Sequence, residues 1–540
     1  MQRLTVTGLT LAVALTGCGG SDDKKNNNSS SSLSSSSISS AAAISSTATI
    51  SSAAAVSSEA SMSSLATISS ASSLSSVPTS SSSSESSSSA APVAKKNVLF
   101  FLGDGMGITT LTAMRIYQVG EAGSITIDTL PESAFVRTYS ADGQVTDSAP
   151  SMAAYMTGVK MKNEVISMST ATNAYRPDGT QYIDAAGNST CEAGNGEAVP
   201  TLLEQMKAQG FATGVVSTTR ITHATPATTY SHVCNRNGEN TIAAQMVPNG
   251  AGFNAALGNG IDVVLGGGLR HFLPSTETGG RRTDGRHLVN EMKTAGYTYV
   301  TNVGELTAAT SATPKLLGLF TSSDMNYELD RNPQVEPSLS EMTGKAIDIL
   351  STRDKGFFLM VEGGRIDHAL HASNAKRALT DGIAFDNAIK LALEKMEAVD
   401  PGLKNTLVVV TADHDHTLVI NGYAERTDKT TDTHAGILGL VKSYANGPSK
   451  GQPTTDINGN PYTILAFGNG PNRPTTRIAL DETTTSGKDY LQEAVIQLDS
   501  ETHGGGDVFL GAKGLGAENF HGVIDNTEVF GLIKKSINLQ

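Results

Sequence analysis

The chain has 540 residues, with 52 acidic against 39 basic side chains and a net charge of −13 at pH 7. This acidic balance argues against a nucleic-acid-binding protein, because such proteins present basic surfaces to phosphate. No apolar stretch is long enough for a transmembrane helix, and the length accommodates at least one large domain.

The amino-terminal segment has the pattern of an export signal. Residues 1–17 carry one early cation, Arg3, and then a short apolar stretch, which is typical of a signal peptide. The stretch ends in Leu-Thr-Gly before Cys18 and resembles the bacterial lipobox, so we expect lipid on Cys18. A plain secretory signal with a chance cysteine is the alternative. The sequence therefore predicts an exported protein, periplasmic or at the cell surface, anchored to a bacterial membrane through its acyl chains.

Residues 18–94 follow this signal and consist almost entirely of Ser and Ala from Ser21 to about Ala91. Such a composition cannot bury enough apolar area to offset the entropy of ordering, so it predicts a disordered tether. As a flexible coil the tether would reach about 50 Å. The folded part is predicted over residues 95–540, with residues 421–490, rich in Gly, Thr, Asn and Pro, as a long insertion.

Two further cysteines, Cys191 and Cys234, lie in the predicted folded part. An even pair in an exported protein indicates a disulfide. The loop-entropy relation gives such a bridge about 4 kcal/mol of stabilisation when it is unstrained. Two buried thiols are the alternative.

Apolar runs alternate with helical patterns through the folded part. Strands are predicted at residues 97–102, 134–138, 212–217, 261–265, 357–362 and 406–411. Helices are predicted at residues 150–157, 199–208, 339–351 and 374–398. This alternation predicts an α/β fold, a largely parallel central sheet flanked by helices on both faces.

The segment VEGGRIDHALH, residues 361–371, places ionisable groups at the end of a predicted strand. Asp367 and His371 are four residues apart, so a helix would put both on one face, one turn apart. Such a pair can hold one divalent ion. Glu362 stands at the carboxyl end of the strand, where α/β enzymes commonly carry their catalytic and binding residues. Taken alone, a helix start with a solvated histidine would explain the segment equally well.

Two other predicted strands end in the same kinds of residue. The strand at 406–411 runs into residues 413–416 (DHDH), and the strand at 97–102 runs into Asp104. Ionisable side chains directly after a buried strand are costly unless something binds them. Three strands that deliver carboxylates or imidazoles at their carboxyl ends therefore predict a multi-metal site.

Together with four further motifs, these clusters resemble the alkaline phosphatase family of metal-dependent phosphomonoesterases, over nearly all of residues 95–540. The four motifs are DSAPS at 147–151, THATP at 222–226, the arginine of HVCNR at 232–236, and THGG at 502–505. The resemblance implies the family's fold and the hydrolysis of small phosphate monoesters through a phosphoserine intermediate at Ser148.

The surroundings of Ser148 also favour it as the nucleophile. A serine hydroxyl is a weak nucleophile unless a base or a metal removes its proton. No Ser-His-Asp arrangement is evident, whereas candidate metal ligands are abundant. Ser148 stands just before a helix that Pro150 would initiate, so an anion bound there would face free backbone N–H groups. A serine that only caps the helix is the alternative.

The resemblance implies two zinc ions and one magnesium ion per chain, each held by three side chains. The first zinc set is Asp367, His371 and His503. The second zinc set is Asp104, Asp413 and His414. The magnesium set is Asp104, Thr225 and Glu362, whose oxygen atoms suit a hard ion.

The resemblance assigns four residues around these metals. Arg236 would act in catalysis and substrate binding by clamping two phosphate oxygens with its planar fork; an ordinary surface arginine is the alternative. His416 would orient a ligand carboxylate instead of binding metal. His223 stands beside the magnesium where the best-known bacterial relatives carry Asp, and His368 stands near the phosphate where they carry Lys. The change from Lys to His weakens the positive charge near substrate at alkaline pH.

Competing functions differ from this one in features that a sequence can show. A sulfatase would carry Arg four residues after its nucleophile, where this chain has Met152. A phosphodiesterase of the same superfamily would lack the Arg236 clamp and the third metal site. A non-catalytic lipoprotein that binds phosphate or metal would not need a nucleophile. This chain has both the candidate nucleophile and every candidate ligand. In some relatives an insertion contacts a partner subunit, so a homodimer through residues 421–490 stays open.

Overall fold

The computed structural model describes residues 95–540; the signal peptide, the lipidated Cys18 and the tether predicted for residues 1–94 lie outside them. The strands within that range are β1 (Lys96–Gly103), β2 (Glu132–Arg137), β3 (Ala212–Arg220), β4 (Val263–Gly267), β5 (Thr298–Val300), β6 (Leu316–Leu319), β7 (Gly356–Gly363), β8 (Thr406–Thr411), β9 (Asp415–His416), β10 (Leu418–Ile420), β11 (Leu465–Gly470), β12 (Ala494–Gln497), β13 (His503–Gly504), β14 (Val508–Gly514) and β15 (Gly522–Asp525).

The α-helices of the same range are α1 (Ile108–Val119), α2 (Ser148–Thr157), α3 (Leu202–Ala208), α4 (Ala224–Ala227), α5 (Glu239–Gln245), α6 (Leu288–Thr294), α7 (Val303–Ala308), α8 (Leu339–Leu350), α9 (Arg365–His371), α10 (Ala375–Val399), α11 (Glu482–Thr485) and α12 (Asn526–Ile537). Short 3-10 helices occur at Ile127–Thr129, Ala255–Leu257, Leu269–His271, Gly436–Leu438 and Ala517–Asn519. In the described part of the chain, no helix combines the length and the apolar character that crossing a bilayer requires.

A ten-stranded sheet forms the centre of the fold, in the order β15-β2-β14-β8-β1-β7-β3-β4-β6-β5. β14 is antiparallel to both of its neighbours, and every other pair of adjacent strands is parallel. Successive side chains of β7 and β8 are all buried, so both faces of the sheet centre are covered. The predicted α/β fold with a largely parallel sheet is confirmed.

The strand register aligns the carboxyl ends of the central strands. Leu102 in β1 is level with Glu362 in β7 and with Thr411 in β8, and Ser217 in β3 is also level with Glu362. The residues that follow these strand ends therefore meet at one edge of the sheet, as the sequence predicts. This edge carries the candidate site.

Capping side chains set two helix starts that differ from the predicted bounds. α3 begins at Leu202, three residues later than expected, because Thr201 and Glu204 form a capping box at its start. α2 begins at Ser148, before Pro150, because the Asp147 carboxylate accepts a hydrogen bond from the Ala149 N–H at 2.7 Å.

Residues 421–490 lie outside the ten-stranded sheet but contain regular structure. β11 pairs with β10 and β12 in a separate three-stranded sheet. Leu465 and Phe467 of β11 are fully buried and join the main hydrophobic core. Part of the predicted insertion therefore packs on the core of the domain.

Cys191 and Cys234 form the predicted disulfide, with their Cα atoms 5.7 Å apart. Cys234 is fully buried, and Cys191 is exposed. The bridge lies two residues before Arg236 in the chain and ties that segment to the loop around Cys191.

Candidate metal centre and active site

The first cluster of candidate ligands forms around the start of α9. This helix begins two residues after β7 ends, so Asp367 and His371 lie one turn apart at the sheet edge. His371 Nε2 lies 3.3 Å from Asp367 Oδ1, and His503 Nε2 lies 3.1 Å from His371 Nε2. Ligands at zinc-bond length from one tetrahedral ion lie about 3.3 Å apart, so these three side chains have the spacing of a zinc set.

Backbone carbonyls fix the orientation of both imidazoles in this cluster. His371 Nδ1 donates to the Glu501 carbonyl at 2.6 Å, and His503 Nδ1 donates to the Thr146 carbonyl at 2.8 Å. A ring that donates through Nδ1 keeps Nε2 free of a proton when it is neutral, which is the form that binds metal. Both Nε2 atoms therefore point inward as available ligands.

The second cluster places the candidate nucleophile among candidate metal ligands. His414 Nε2 lies 3.3 Å from Asp104 Oδ1, 3.5 Å from Asp413 Oδ2 and 3.2 Å from Ser148 Oγ. The other oxygen of Asp104, Oδ2, and Asp413 Oδ2 are buried without a hydrogen-bond partner. Buried carboxylate oxygens of this kind are normally paired, so their lack of a partner fits a bound cation.

The third cluster lies on the other side of Asp104. Asp104, His223 and Glu362 each bring a ligand atom within 4.8 Å of the others. Glu362 Oε1, His223 Nδ1 and Thr225 Oγ1 are all buried without a hydrogen-bond partner. Asp104 and Glu362 of the predicted magnesium set thus lie together, and His223 brings a nitrogen within the same distance of them.

Burial and mutual repulsion make the ionised form of these carboxylates unfavourable. Burial, followed by repulsion from Asp413, Asp367 and Glu362, raises the pKa of Asp104 well above its usual range. Burial and its acidic neighbours also raise the pKa of Glu362 to about 7 and that of Asp413 to about 6. A divalent ion in each cluster would remove this cost, so the donor sets fit metal ions.

His416 lies behind the first cluster, between the carboxylates of Asp367 and Glu501. Its Nε2 lies 2.9 Å from Asp367 Oδ1, and its Nδ1 lies 2.5 Å from Glu501 Oε2. Burial alone would lower its pKa, but Glu501 and Asp367 raise the pKa of His416 to about 10. His416 lies within 4.8 Å of the ligand atoms of Asp367, His371 and His503, but both of its ring nitrogens face carboxylates, which favours an orienting role.

Arg236 lies beside the amino-terminal end of α2. Its Nη1 donates to Asp147 Oδ1 at 3.1 Å, and its Nη2 contacts His223 Nε2 at 3.0 Å. The backbone N–H of Arg236 donates to the Glu164 carbonyl at 2.8 Å. A half-buried guanidinium that contacts both Asp147 and His223 is not the ordinary surface arginine that the loop composition allowed.

His368 faces the third cluster from α9. Its ring centroid is 5.3 Å from that of His223, and its Nδ1 contacts Arg365 Nη1 at 2.6 Å. Burial lowers the pKa of His368 to about 4, with Arg365 adding to the fall and Asp324 opposing it. His368 is therefore neutral at alkaline pH and offers a substrate no charge of its own.

Two residues that hold the site together were not assigned from the sequence. Asp147 links the start of α2 to Arg236, and Glu501 contacts His416 and His371. The helix-capping position of Asp147 before Pro150 was a signal for the first residue. Glu501 has no comparable signal, because its role depends on contacts across 85 residues of sequence to His416.

Comparison with known proteins agrees with this geometry. A family model described as alkaline phosphatase matches residues 95–539. A membrane-bound alkaline phosphatase of Bombyx mori is 36% identical over 474 residues, covering 80% of this chain and 78% of its own. The tissue-nonspecific alkaline phosphatase of Gallus gallus is 35% identical over 467 residues, covering 79% of this chain and 82% of its own.

Solved structures show the same fold. The alkaline phosphatase of Thermus thermophilus superposes with a TM-score of 0.59 at 24% identity, covering 83% of this chain and 92% of its own. That of the Antarctic bacterium TAB5 superposes with a TM-score of 0.56 at 24% identity, covering 83% and 100%. The family match, the close relatives and the clustered ligands decide against the sulfatase, phosphodiesterase and non-catalytic alternatives. The chain belongs to the alkaline phosphatase family and is a metal-dependent phosphoric monoester hydrolase.

Proposed function

We propose that this phosphatase cleaves small phosphate monoesters through a phosphoserine at Ser148. The observation that carries the proposal is the position of Ser148 Oγ, 3.2 Å from His414 Nε2 and 3.5 Å from Asp104 Oδ1. The hydroxyl oxygen would attack phosphorus, and the alcohol of the substrate would leave on the opposite side. Water would then cleave the phosphoserine and release inorganic phosphate.

The start of α2 supports the attack. Ser148 is the first residue of the helix, and its side chain is buried. Free backbone N–H groups at a helix amino terminus stabilise negative charge, so a phosphoryl group on Ser148 would lie in a favourable field. Asp147 contributes by fixing the helix start and by holding one nitrogen of Arg236.

We assign the metal content as two zinc ions and one magnesium ion per chain. The first zinc would be held by Asp367, His371 and His503. The second zinc would be held by Asp104, Asp413 and His414. The magnesium would be held by Asp104, Thr225 and Glu362, with His223 close enough to join. Bound there, the metals would favour the deprotonated serine and stabilise charge on the attacking and leaving oxygens.

Arg236 would bind two phosphate oxygens, because a planar guanidinium matches the geometry of an oxyanion. Asp147 and His223 would keep this fork from turning away while substrate is absent. His368 would border the substrate as a neutral, polar ring, since the pKa of His368 is lowered to about 4. Arg236 would then supply the positive charge that Lys gives in other relatives.

Substitution of Ser148 by Ala tests the proposal with p-nitrophenyl phosphate as substrate. We expect Ser148→Ala to lose at least about a thousandfold in kcat, because the nucleophile is removed, while zinc content stays unchanged. Ser151→Ala is a matched control in the same helix, because its hydroxyl is already engaged, donating to the Asp413 carbonyl and accepting from the Asn526 side-chain amide, and it is expected to stay active. Full activity in Ser148→Ala would exclude the covalent mechanism.

A direct measurement of the intermediate complements this substitution. Acid quenching of the enzyme during turnover, followed by peptide mass spectrometry, is expected to find phosphate on Ser148. The Ser148→Ala protein serves as the control for phosphorylation at other serines. Phosphate on a different residue would show that this other residue, and not Ser148, is the nucleophile.

For location, we propose export and anchoring to a bacterial membrane through lipid on Cys18. The lipobox-like sequence supports the anchor, and the disulfide between Cys191 and Cys234 suits an oxidising compartment. Loss of membrane association in Cys18→Ala, with fractionation as the assay, is the expected result. An enzyme that stays in the membrane fraction without Cys18 would refute lipid anchoring there.

We also propose a homodimer that uses the region around β10, β12 and the insertion. Among the residues that the structure describes, nine of the eighteen large apolar side chains that are exposed lie in this region: Val419, Ile420, Tyr423, Tyr444, Ile457, Ile478, Val495, Ile496 and Leu498. Exposed apolar patches commonly mark protein interfaces. Light scattering of the soluble enzyme is expected to give the mass of two chains, and a monomer at micromolar concentration would contradict it.

A further inference from the structure

Glu501 has a buried carboxylate that is fully used in hydrogen bonds. Its side chain is 1% exposed. One oxygen, Oε2, lies 2.5 Å from His416 Nδ1. The other, Oε1, accepts the Thr417 backbone N–H at 2.7 Å and the Thr417 hydroxyl at 2.6 Å. The carboxylate thus fixes the position and the rotation of the His416 ring.

The backbone of Glu501 holds a second imidazole. Its carbonyl accepts from His371 Nδ1 at 2.6 Å, and its N–H donates to the His371 carbonyl at 2.8 Å. Glu501 also stands two residues before His503 in the chain. One residue therefore contacts His371 directly and lies next to the strand that carries His503.

The contacts of His416 extend this arrangement to a third ligand. His416 Nε2 lies 2.9 Å from Asp367 Oδ1, the oxygen that also lies 3.3 Å from His371 Nε2. A ring held at both nitrogens cannot rotate without breaking one of these bonds. The position of the Asp367 carboxylate consequently depends on Glu501 through His416.

We propose that Glu501 is the positioning residue of the metal site formed by Asp367, His371 and His503. It acts through His416 and through its own backbone, and it touches neither the metal nor the substrate. The proposal rests on the assignment of those three residues as metal ligands. It predicts that removing the carboxylate weakens one metal site and leaves the other two sites intact.

Metal retention of Glu501→Ala tests this prediction. The purified enzyme, loaded with zinc and magnesium, is dialysed against buffers in which a chelator sets the free zinc, and the bound metals are counted by mass spectrometry. Outer partners of metal ligands typically change affinity by about 10- to 100-fold. We expect a loss of this size for one zinc per chain, with the second zinc and the magnesium retained.

The Glu501→Gln variant tests the same idea with less disturbance. Its single carbonyl oxygen can accept from His416 or from Thr417 but cannot replace both carboxylate oxygens. We expect a zinc affinity between those of the wild type and Glu501→Ala. This variant also gives a result if Glu501→Ala fails to fold. Zinc binding equal to the wild type in Glu501→Gln and Glu501→Ala would overturn the proposal.

Asp386→Ala separates positioning from general stabilisation. Asp386 is also buried, and its carboxylate accepts the backbone N–H groups of Thr126 and Ile127 at 3.0 and 2.8 Å, away from the metal clusters. We expect a lower unfolding midpoint for Asp386→Ala with unchanged zinc affinity. If Glu501→Ala behaves in the same way, or loses all three metals together, Glu501 is only structural and the proposal fails.

Two further measurements distinguish this proposal from the ligand assignment beneath it. Excess zinc is expected to restore kcat in Glu501→Ala, because a positioning residue takes no part in the chemical step. A kcat that stays low at saturating zinc would overturn the positioning role. Asp367→Ala must lose one zinc outright; if it does not, the ligand assignment itself is wrong, whatever Glu501→Ala shows.

Discussion

Removal of the metals is predicted to make the stability of the enzyme fall as pH rises from 7 to 9. The reason is the proton that His416 keeps between Glu501 and Asp367. In the folded, metal-free chain these carboxylates overcome the effect of burial and raise the pKa of His416 from 6.5 to about 10. A raised pKa contributes stability that is complete below pH 6.5 and is lost as pH rises through about 10.

The size of the effect follows from this shift. Between pH 7 and pH 9 the folded chain holds close to one proton more at His416 than the unfolded chain does. Each pH unit then removes up to about 1.4 kcal/mol, so the contribution of His416 to the free energy of unfolding falls by roughly 2–3 kcal/mol. Glu362, whose pKa is raised from 4.5 to about 7, has lost most of its contribution before pH reaches 7. Histidines with lowered pKa values, such as His414, affect stability only below pH 6.5. They therefore do not contribute to the change in stability between pH 7 and pH 9.

Urea unfolding of the EDTA-treated protein at pH 7 and pH 9, with the disulfide intact, measures this change. We expect a lower midpoint at pH 9. The metal-loaded protein is the reference, and its midpoint is not expected to fall in this way, because metal binding competes with protons and strengthens with pH. Asp381, whose pKa is raised to about 8 outside the clusters, makes both forms lose stability equally as pH rises from 7 to 9, so the effect of the metals is the difference between the two changes in midpoint.

His416→Gln is the matched variant, because it removes the titrating ring. We expect the pH-dependent loss of stability in the metal-free protein to shrink by most of its size. A metal-free wild type whose midpoint is constant or rises from pH 7 to pH 9 would refute the reasoning, and so would an undiminished fall in His416→Gln.

The remaining predictions concern activity. EDTA is expected to abolish turnover of p-nitrophenyl phosphate, and zinc with magnesium to restore it; undiminished activity in a protein shown to be metal-free would contradict the metal assignments. Arg236→Ala is expected to raise KM and the inhibition constant for phosphate by at least about tenfold. Arg236→Lys is expected to give intermediate constants, because Lys cannot form the bidentate contact. Equal constants in the wild type and both variants would exclude the clamp. A chain of residues 95–540 made under oxidising conditions is expected to keep full kcat, because these residues contain the candidate ligands and the core. Failure of this chain to fold would show that the predicted domain boundary is wrong.

The elements that carry the candidate metal ligands could be predicted from the sequence because their signals are local. β7 and β8 are uninterrupted apolar runs that end in ionisable residues, and Asp367 and His371 have helical spacing. Elements with mixed composition were missed. β14 contains two glycines and a lysine in seven residues, and it pairs antiparallel between β2 and β8. Its place in the sheet depends on partners distant in the chain.

Local signals were also insufficient for the residues that support the ligands. Nothing near Glu501 in the sequence indicates a contact with His416, since the two meet only when β13 pairs with β9. Likewise, the contact of His223 with Arg236 depends on the packing of two loops, whereas the sequence indicated only that each lay near the phosphate or the magnesium. Ligand identity is encoded in short motifs, and ligand orientation is encoded in the tertiary fold.

The spread of the ligands along the chain has a consequence for biosynthesis. Asp104 follows the first described strand, and the residues that cluster with it, Asp413 and His414, come some 300 residues later. Synthesis proceeds from the amino terminus, so a growing chain cannot complete either of the zinc sites that we propose until β8 or β13 has been made. A chain that terminates early, or loses its last segment to proteolysis before folding, therefore yields no partly active product. Phosphatase activity reports that the chain was completed as well as folded.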